Sequence, residues 1–149
     1  SQEVEHHKGE ISFPGGVIDE ADSDMLACAL RETWEEMGVL PEDINVLGSL
    51  GIVPTMTQFE IHAFLGIITY PYPFRVSNVE VAEVVEVPIS VLRDVVSQRD
   101  EMYVLSDGGS KHSTAFSHNN HLIYGATARL VGHLLRLLED AETSGVHIE

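Results

Sequence analysis

Two long segments with apolar residues at helical spacing bracket a series of strand-like runs, and this order constrains the fold most. The first predicts a helix over residues 23–37, with Asp22 or Ser23 as its N-cap and Gly38 after its last turn. The second predicts a helix over "LIYGATARLVGHLLRLLEDAE", residues 122–142. Strands between two such helices favour an α/β fold, in which helices cover a sheet.

The runs between the two helices predict strands and one short helix. Residues 44–55 and 59–70 are apolar or alternating and predict two adjacent strands. "EVVEVPI", residues 83–89, predicts a third strand, and "SVLRDVVSQ" then predicts a short helix with Ser90 as its cap. "MYVLS" and "STAFSHNNHL" predict further strands around the loop "DGGSKH".

Three glutamates of the first helix lie on one face. At about 100° per residue, Glu36 lies about 40° to one side of Glu32, and Glu35 about 60° to the other. The apolar stripe lies broadly opposite and consists of Leu26, Ala29, Leu30, Thr33 and Met37. Hard divalent ions such as Mg²⁺ prefer several oxygen ligands from a rigid element. The cluster predicts either a cation site or a plain solvated helix face.

The charge of the chain excludes some classes of partner. With 24 acidic and 8 basic residues, the 149-residue chain has a formal charge of −16. A duplex nucleic-acid binder or a protein of anionic membrane surfaces needs clustered Lys and Arg, so neither is expected. A small polyanionic substrate remains compatible if a divalent cation bridges the like charges. The length favours one domain over residues 1–149.

The single cysteine and the hydropathy indicate a compartment. Cys28 has no second cysteine with which to form an internal disulfide, and its neighbours predict a helix interior. No window approaches the roughly 18 apolar residues of a membrane span. We therefore expect a reducing compartment, the cytoplasm.

The stretch "GGVIDEADSDMLACALRETWEEMGV" closely resembles the Nudix box. The family signature, Arg-Glu-U-x-Glu-Glu-x-Gly-U with U a bulky apolar residue, is matched from Arg31 to Val39, with Thr33 as a mild departure. The 14 residues between Gly16 and Arg31 are one more than the usual family spacing. Asp22 is then the best candidate for the acidic loop residue of the family.

The lengthened loop resembles the coenzyme A diphosphatase branch of the Nudix family. That branch carries an upstream motif, with which Ser1, Val4, His7, Gly9 and "FPGG" fall in register. Glu5 stands where the branch has arginine. The segment "LIYGATARL" is similar to another motif of the branch, so the resemblance covers roughly residues 1–138.

The resemblance implies a fold and a set of metal ligands. The fold is a Nudix-type α/β/α sandwich with a mixed β-sheet between helices. The ions would be Mg²⁺ or Mn²⁺, and their ligands would be the Gly16 carbonyl and the carboxylates of Glu32, Glu35 and Glu36. Arg31 would orient a glutamate, although a simple surface ion pair is the alternative.

The implied reaction is hydrolysis of a diphosphate linkage, with divalent ions that neutralise phosphate charge and activate a water. A carboxylate would help to remove the water proton. The candidates for this base are Glu80 and Glu83 in "NVEVAEVVEV", and Glu35 of the helix. Glu80 is preferred because it precedes the apolar run.

Coenzyme A, cut to 4′-phosphopantetheine and 3′,5′-ADP, is the substrate that the resemblance implies. ADP-ribose and NADH are alternatives, and a catalytically silent binding module of the same fold is another. His7, Lys8 and Arg75 are the candidate substrate contacts. Because Glu5 replaces a branch arginine, we expect weak discrimination for the 3′-phosphate.

The start of the sequence suggests a missing strand. Related proteins have a β-strand before the position of Ser1, so we expect that the natural N-terminal strand is lacking. A sheet without its edge strand exposes unpaired backbone. We therefore expect pairing with a second copy of the chain as a homodimer.

Overall fold

The computed structural model describes residues 10–55, 57–77, 79, 81 and 83–145. Within these ranges the chain divides into two units. The first unit contains the described residues of 13–86, and the second contains 10–12 together with 87–145.

The long helix of the first unit is α1 (Met25–Met37). Asp24 caps it, because its Oδ1 accepts a hydrogen bond from the Ala27 N–H at 2.8 Å. Gly38 ends it at φ 71°, and its N–H donates to the Trp34 carbonyl. A Cβ at Gly38 would also lie 2.7 Å from the Arg75 Cβ. Glycine is therefore needed there both for the positive φ and for the space. The predicted helix is confirmed, but its N-cap is Asp24 and not Asp22 or Ser23.

Two antiparallel strands, β1 (Asn45–Pro54) and β2 (Glu60–Ile67), complete the first unit. A 3₁₀ turn at Pro41–Asp43 leads into β1. The register shifts twice along β1, between Val46 and Gly48 and between Ser49 and Gly51. These irregularities bend the strand where glycine tolerates the unusual backbone. The prediction of two adjacent strands is confirmed.

The second unit contains two helices and a three-stranded sheet. Its elements in chain order are α2 (Ile89–Arg93), a 3₁₀ turn (Val95–Ser97), β3 (Gln98–Val104), β4 (Ser110–His118), β5 (His121–Ile123) and α3 (Gly125–Thr143). The strand order is β3-β4-β5, and both ladders are antiparallel. The closing helix is confirmed, but it begins at Gly125, because residues 122 and 123 belong to β5. Strands on both sides of the predicted loop "DGGSKH" are also confirmed, although β4 already begins at Ser110 and the run "STAFSHNNHL" is divided between β4 and β5.

The core of the second unit joins its helices to its sheet. Its buried members are Leu92, Phe116, Ile123, Ala128 and Val131, and the half-buried Ile11, Val87 and Leu135 pack against them. Apolar side chains at helical spacing on α3 thereby cover one face of the β4–β5 hairpin.

The strand predicted over residues 83–89 is wrong. Residues 83–88 have no regular structure, and Pro88 is the N-cap residue of α2. Ser90 therefore lies inside α2 and does not cap it. The helix predicted over 90–98 is also interrupted, because the Asp94 side chain accepts a hydrogen bond from the Val96 N–H and starts the 3₁₀ turn.

The α/β class is confirmed. Where one mixed sheet was expected, the described residues form two sheets whose ladders are all antiparallel. Each ladder joins strands that follow one another in the chain, and such neighbours pair antiparallel through short turns. Across the same residues, every helix is too short or too polar to cross a membrane.

Candidate active site

Arg31 lies between the glutamates of α1. Its Nη1 donates to Glu32 Oε1 at 3.0 Å and to Glu35 Oε2 at 3.1 Å. One guanidinium thus reduces the repulsion between these two carboxylates. Of the two, Glu32 is the more buried, with 15% of its side chain exposed against 45% for Glu35.

Asp22 holds the other side of the same guanidinium. Arg31 Nε donates to Asp22 Oδ1 at 2.9 Å, and Nη2 donates to Oδ2 at 3.0 Å. The Asp19 N–H also donates to Asp22 Oδ2, and only 4% of the Asp22 side chain is exposed. This two-pronged pair is the strong form of an Arg–carboxylate contact. It fastens the loop before α1 to the helix.

These contacts shift the pKa values of both partners. The hydrogen bonds from Arg31 lower the pKa of Asp22 to about 2, with help from the Asp19 backbone. The hydrogen bond with Asp22 raises the pKa of Arg31 further above its ordinary value. Both groups are therefore charged throughout the physiological range.

The lowered pKa of Asp22 predicts a stability change in acid. Because the folded pKa is about 2 and the ordinary value is 3.8, the pair stabilises the fold fully above about pH 4 and loses its contribution as the pH falls towards 2. In thermal unfolding at pH 7, the Tm of wild type should be higher than that of Asp22→Asn. The gap should close between about pH 4 and pH 2. A gap that stays constant over this range would contradict the assignment.

The glycine loop lies against the glutamates from the other side. The Gly15 N–H donates to Glu36 Oε2 at 3.2 Å. A Cβ built on Gly16 would lie 2.5 Å from Glu32 Oε1, so the Glu32 carboxylate sits where an alanine side chain would be. The Cys28 thiol contacts the Gly16 carbonyl, with Sγ 3.7 Å from the oxygen, and burial raises the pKa of that thiol. Glycine therefore permits the close approach of loop and helix.

Gly16→Ala should lower activity without much loss of stability. The new methyl group would displace only the mobile end of Glu32, so we expect at least a tenfold fall in kcat/KM, about 1.4 kcal/mol, with a nearly unchanged Tm. Gly15→Ala is the matched control, because a Cβ there meets nothing within 4 Å. Equal activity of the two variants would show that the contact between Gly16 and Glu32 is unimportant.

The donors suit a hard divalent ion by their chemistry. Three carboxylates of one helix and the backbone carbonyl of Gly16 are oxygen ligands of the kind that Mg²⁺ and Mn²⁺ prefer. Within the described ranges, however, no three acidic, histidine or cysteine side chains are arranged to hold an ion. The Arg31 guanidinium instead contacts both Glu32 and Glu35. The hydrogen bonds described above each engage one oxygen of the carboxylate, Oε1 of Glu32 and Oε2 of Glu35 and Glu36.

The other predicted site residues are placed in part. Arg75 lies at the C-terminal end of α1, where its N–H donates to the Met37 carbonyl at 2.9 Å. Glu83 is exposed in the irregular segment 83–88. Glu80, His7 and Lys8 lie outside the described residues.

Sequence reasoning missed how the Arg75–Glu83 segment is attached. The Ser77 N–H donates to the Glu36 carbonyl at 3.1 Å, next to the Arg75 contact. The chain that leads to Glu83 therefore starts at the carboxylate-bearing end of α1. These are main-chain hydrogen bonds, so no residue type in the sequence signals them.

Comparison with known proteins settles the family. Residues 1–102, which include α1 and its glycine loop, match the NUDIX domain. The chain belongs to the Nudix family. This finding confirms the resemblance of the "RETWEEMGV" stretch and the expectation of an enzyme of the Nudix hydrolase type.

Curated Nudix relatives match over most of the chain. Each of the following is named uncharacterized Nudix hydrolase NudL. The protein from Cronobacter sakazakii is 33% identical over 129 residues, 86% of this chain and 66% of the relative. That from Citrobacter koseri is 32% identical over 135 residues, 90% and 69% respectively. The chain thus spans about two thirds of the length of these relatives.

Membership of the Nudix family implies a class of reaction. Nudix hydrolases act on small molecules, hydrolyse nucleoside diphosphate derivatives and generally use divalent ions such as Mg²⁺ or Mn²⁺. The box of this chain retains the arginine and all three glutamates of the signature.

Proposed function

We propose that this chain hydrolyses a diphosphate linkage of a nucleotide derivative, with coenzyme A as its preferred substrate. The observation that carries the proposal is the packing of the Gly15–Gly16 loop onto Glu32 and Glu36, because it brings the backbone of the loop beside carboxylates of a rigid helix. Water adds to one phosphorus of the linkage and gives up a proton, and the bond between that phosphorus and the bridging oxygen breaks. Each product keeps one phosphate of the former linkage as a monoester.

The Gly16 carbonyl and the carboxylates of Glu32, Glu35 and Glu36 would hold Mg²⁺ or Mn²⁺. A bound ion of this kind neutralises phosphate charge and lowers the pKa of a water molecule. Arg31 has a positioning role: its contacts orient the side chains of Glu32 and Glu35 and tie them to Asp22. The Gly15 N–H does the same for Glu36.

The proton of the attacking water needs an acceptor. Glu80 and Glu83 remain the first candidates, because the Ser77 contact ties the start of their segment to the end of α1. Glu35 is the third, since nearly half of its side chain is exposed. A carboxylate within reach of the water accepts the proton as the bond to phosphorus forms.

The substrate preference rests on the upstream motif and on a few cations. The "FPGG" register, the lengthened box loop and the "IYGATA" segment support coenzyme A. Arg75 is exposed and its N–H donates to the Met37 carbonyl at the end of α1, and its guanidinium is proposed as a phosphate contact. His7 and Lys8 are proposed as further contacts from the motif alone.

A comparison of two substrates tests the preference. Under identical Mn²⁺, kcat/KM for coenzyme A should exceed that for ADP-ribose. Dephospho-coenzyme A should follow closely, because few cations are available for the 3′-phosphate. A ratio in favour of ADP-ribose would overturn the coenzyme A assignment and leave the diphosphatase proposal standing.

A further inference from the structure

A tight hairpin in the second unit brings two histidines opposite each other. His118, the last residue of β4, pairs with His121, the first residue of β5. Asn119 and Asn120 form the turn with φ values of 46° and 68°. Two positive φ values in a two-residue loop are the mark of a type I′ turn, which holds the flanking residues in fixed register. The Cβ atoms of such a pair are about 5 Å apart.

Both imidazoles belong to the core-facing side of the hairpin. Side chains two residues apart in a strand share a face, so His118 lies on the side of Phe116, and His121 on that of Ile123. Phe116 and Ile123 are themselves a cross-strand pair and are 2% and 4% exposed. The histidine pair therefore lies next to the buried apolar pair on the same face of the hairpin, on the side of the turn. Both histidines are half-buried.

The side-chain amide of Asn119 indicates that Nε2 of His118 is a candidate ligand atom. Its Nδ2 lies 3.2 Å from His118 Nε2. An amide N–H that donates to Nε2 requires this nitrogen to carry its lone pair, which is the form of imidazole that binds metals. An ion would take the place of the amide N–H at the same atom.

From this geometry we propose that His118 and His121 form a second metal site, selective for a borderline transition ion such as Zn²⁺, Cu²⁺ or Ni²⁺. Imidazole suits these ions, whereas Mg²⁺ and Mn²⁺ prefer the carboxylate oxygens of α1. Among the residues that the structure describes, no third acidic, histidine or cysteine side chain is arranged with the pair to hold an ion, so these residues supply two ligands. The ion would clamp the β4–β5 hairpin, because it links the two strands at their last ladder pair.

Zn²⁺ titration of the whole chain tests the site directly. Excess Mg²⁺ is present to occupy the carboxylates of α1, and ¹⁵N imidazole resonances are followed by NMR for all 8 histidines. The signals of His118 and His121 should shift first and together. Uniform shifts of all histidines, or early shifts that exclude this pair, would overturn the proposal.

Substitution of single histidines distinguishes Zn²⁺ binding by this pair from binding by other histidines. His118→Gln and His121→Gln should each weaken Zn²⁺ binding by about tenfold or more. His112→Gln is the matched control, because His112 is an exposed residue of the same strand that pairs with Asp100 and should bind as wild type does. Unchanged binding in His118→Gln would contradict the proposal. If that variant does not fold, the nitrogen couplings in the Cu²⁺ EPR spectrum of wild type decide: two imidazole nitrogens support the site, and none overturns it.

Discussion

Glu36→Gln should nearly abolish turnover while the protein stays folded. The substitution removes one charge from a rigid helix but keeps an oxygen that can accept the Gly15 N–H bond of 3.2 Å. We expect a fall in kcat of at least about 100-fold, or about 2.7 kcal/mol of activation free energy. Steady-state kinetics under saturating Mn²⁺ give the value, and thermal unfolding reports the fold.

A carboxylate outside the site controls for the loss of charge. Glu42 is exposed in the 3₁₀ turn that follows α1, and Glu42→Gln should leave kcat unchanged. A loss below tenfold in Glu36→Gln, with the control active, would show that Glu36 is not a principal ligand. A partial rescue by higher Mn²⁺ would support the ligand role.

Arg31→Lys should be the second most damaging change in the site. Lysine keeps the charge, but a single ammonium lacks the rigid fork with which Arg31 contacts Asp22, Glu32 and Glu35 at 2.9–3.1 Å. We expect a loss of about 10- to 100-fold in kcat/KM, together with a weaker apparent affinity for Mn²⁺. The rate measured as a function of Mn²⁺ concentration gives both kcat/KM and the apparent affinity for Mn²⁺.

The metal dependence also separates two roles of Arg31. A positioning residue should shift the Mn²⁺ concentration that gives half-maximal rate, whereas a residue that only stabilises the fold should lower the Tm alone. Arg93→Lys is a control, because Arg93 makes one exposed ion pair with Glu142, and such pairs contribute little. Normal kinetics in Arg31→Lys would contradict the role given to its guanidinium.

Much of the secondary structure could be predicted, because the signals were local. α1 has a stripe of apolar residues and a terminal glycine, and β1 and β2 have alternation with turn residues between them. The strand predicted over 83–89 is wrong because the prediction used the β-propensity of its three valines. That propensity stabilises a strand only where a neighbouring strand packs beside it. Residues 83–88 belong to neither of the two sheets.

The residues of the candidate site could be predicted from the sequence, but the contacts between their side chains could not. The glutamate spacing fixed their common face on α1, and the glycine loop was expected beside them. That Arg31 stands between Glu32 and Glu35 depends on rotamers, which the spacing does not determine. The cap was missed for a related reason: three residues before α1 can cap a helix, and Asp22 is already engaged by Arg31.

Product analysis with and without a divalent ion tests the central claim most directly. The whole chain is incubated with coenzyme A, ADP-ribose and NADH in EDTA, in Mg²⁺ and in Mn²⁺, and the products are identified by mass spectrometry. The account predicts the paired products of cleavage at the diphosphate linkage only with an added ion, with 4′-phosphopantetheine and 3′,5′-ADP formed fastest. Folded protein that cleaves none of these diphosphates in either ion, or cleaves them equally well in EDTA, would contradict it.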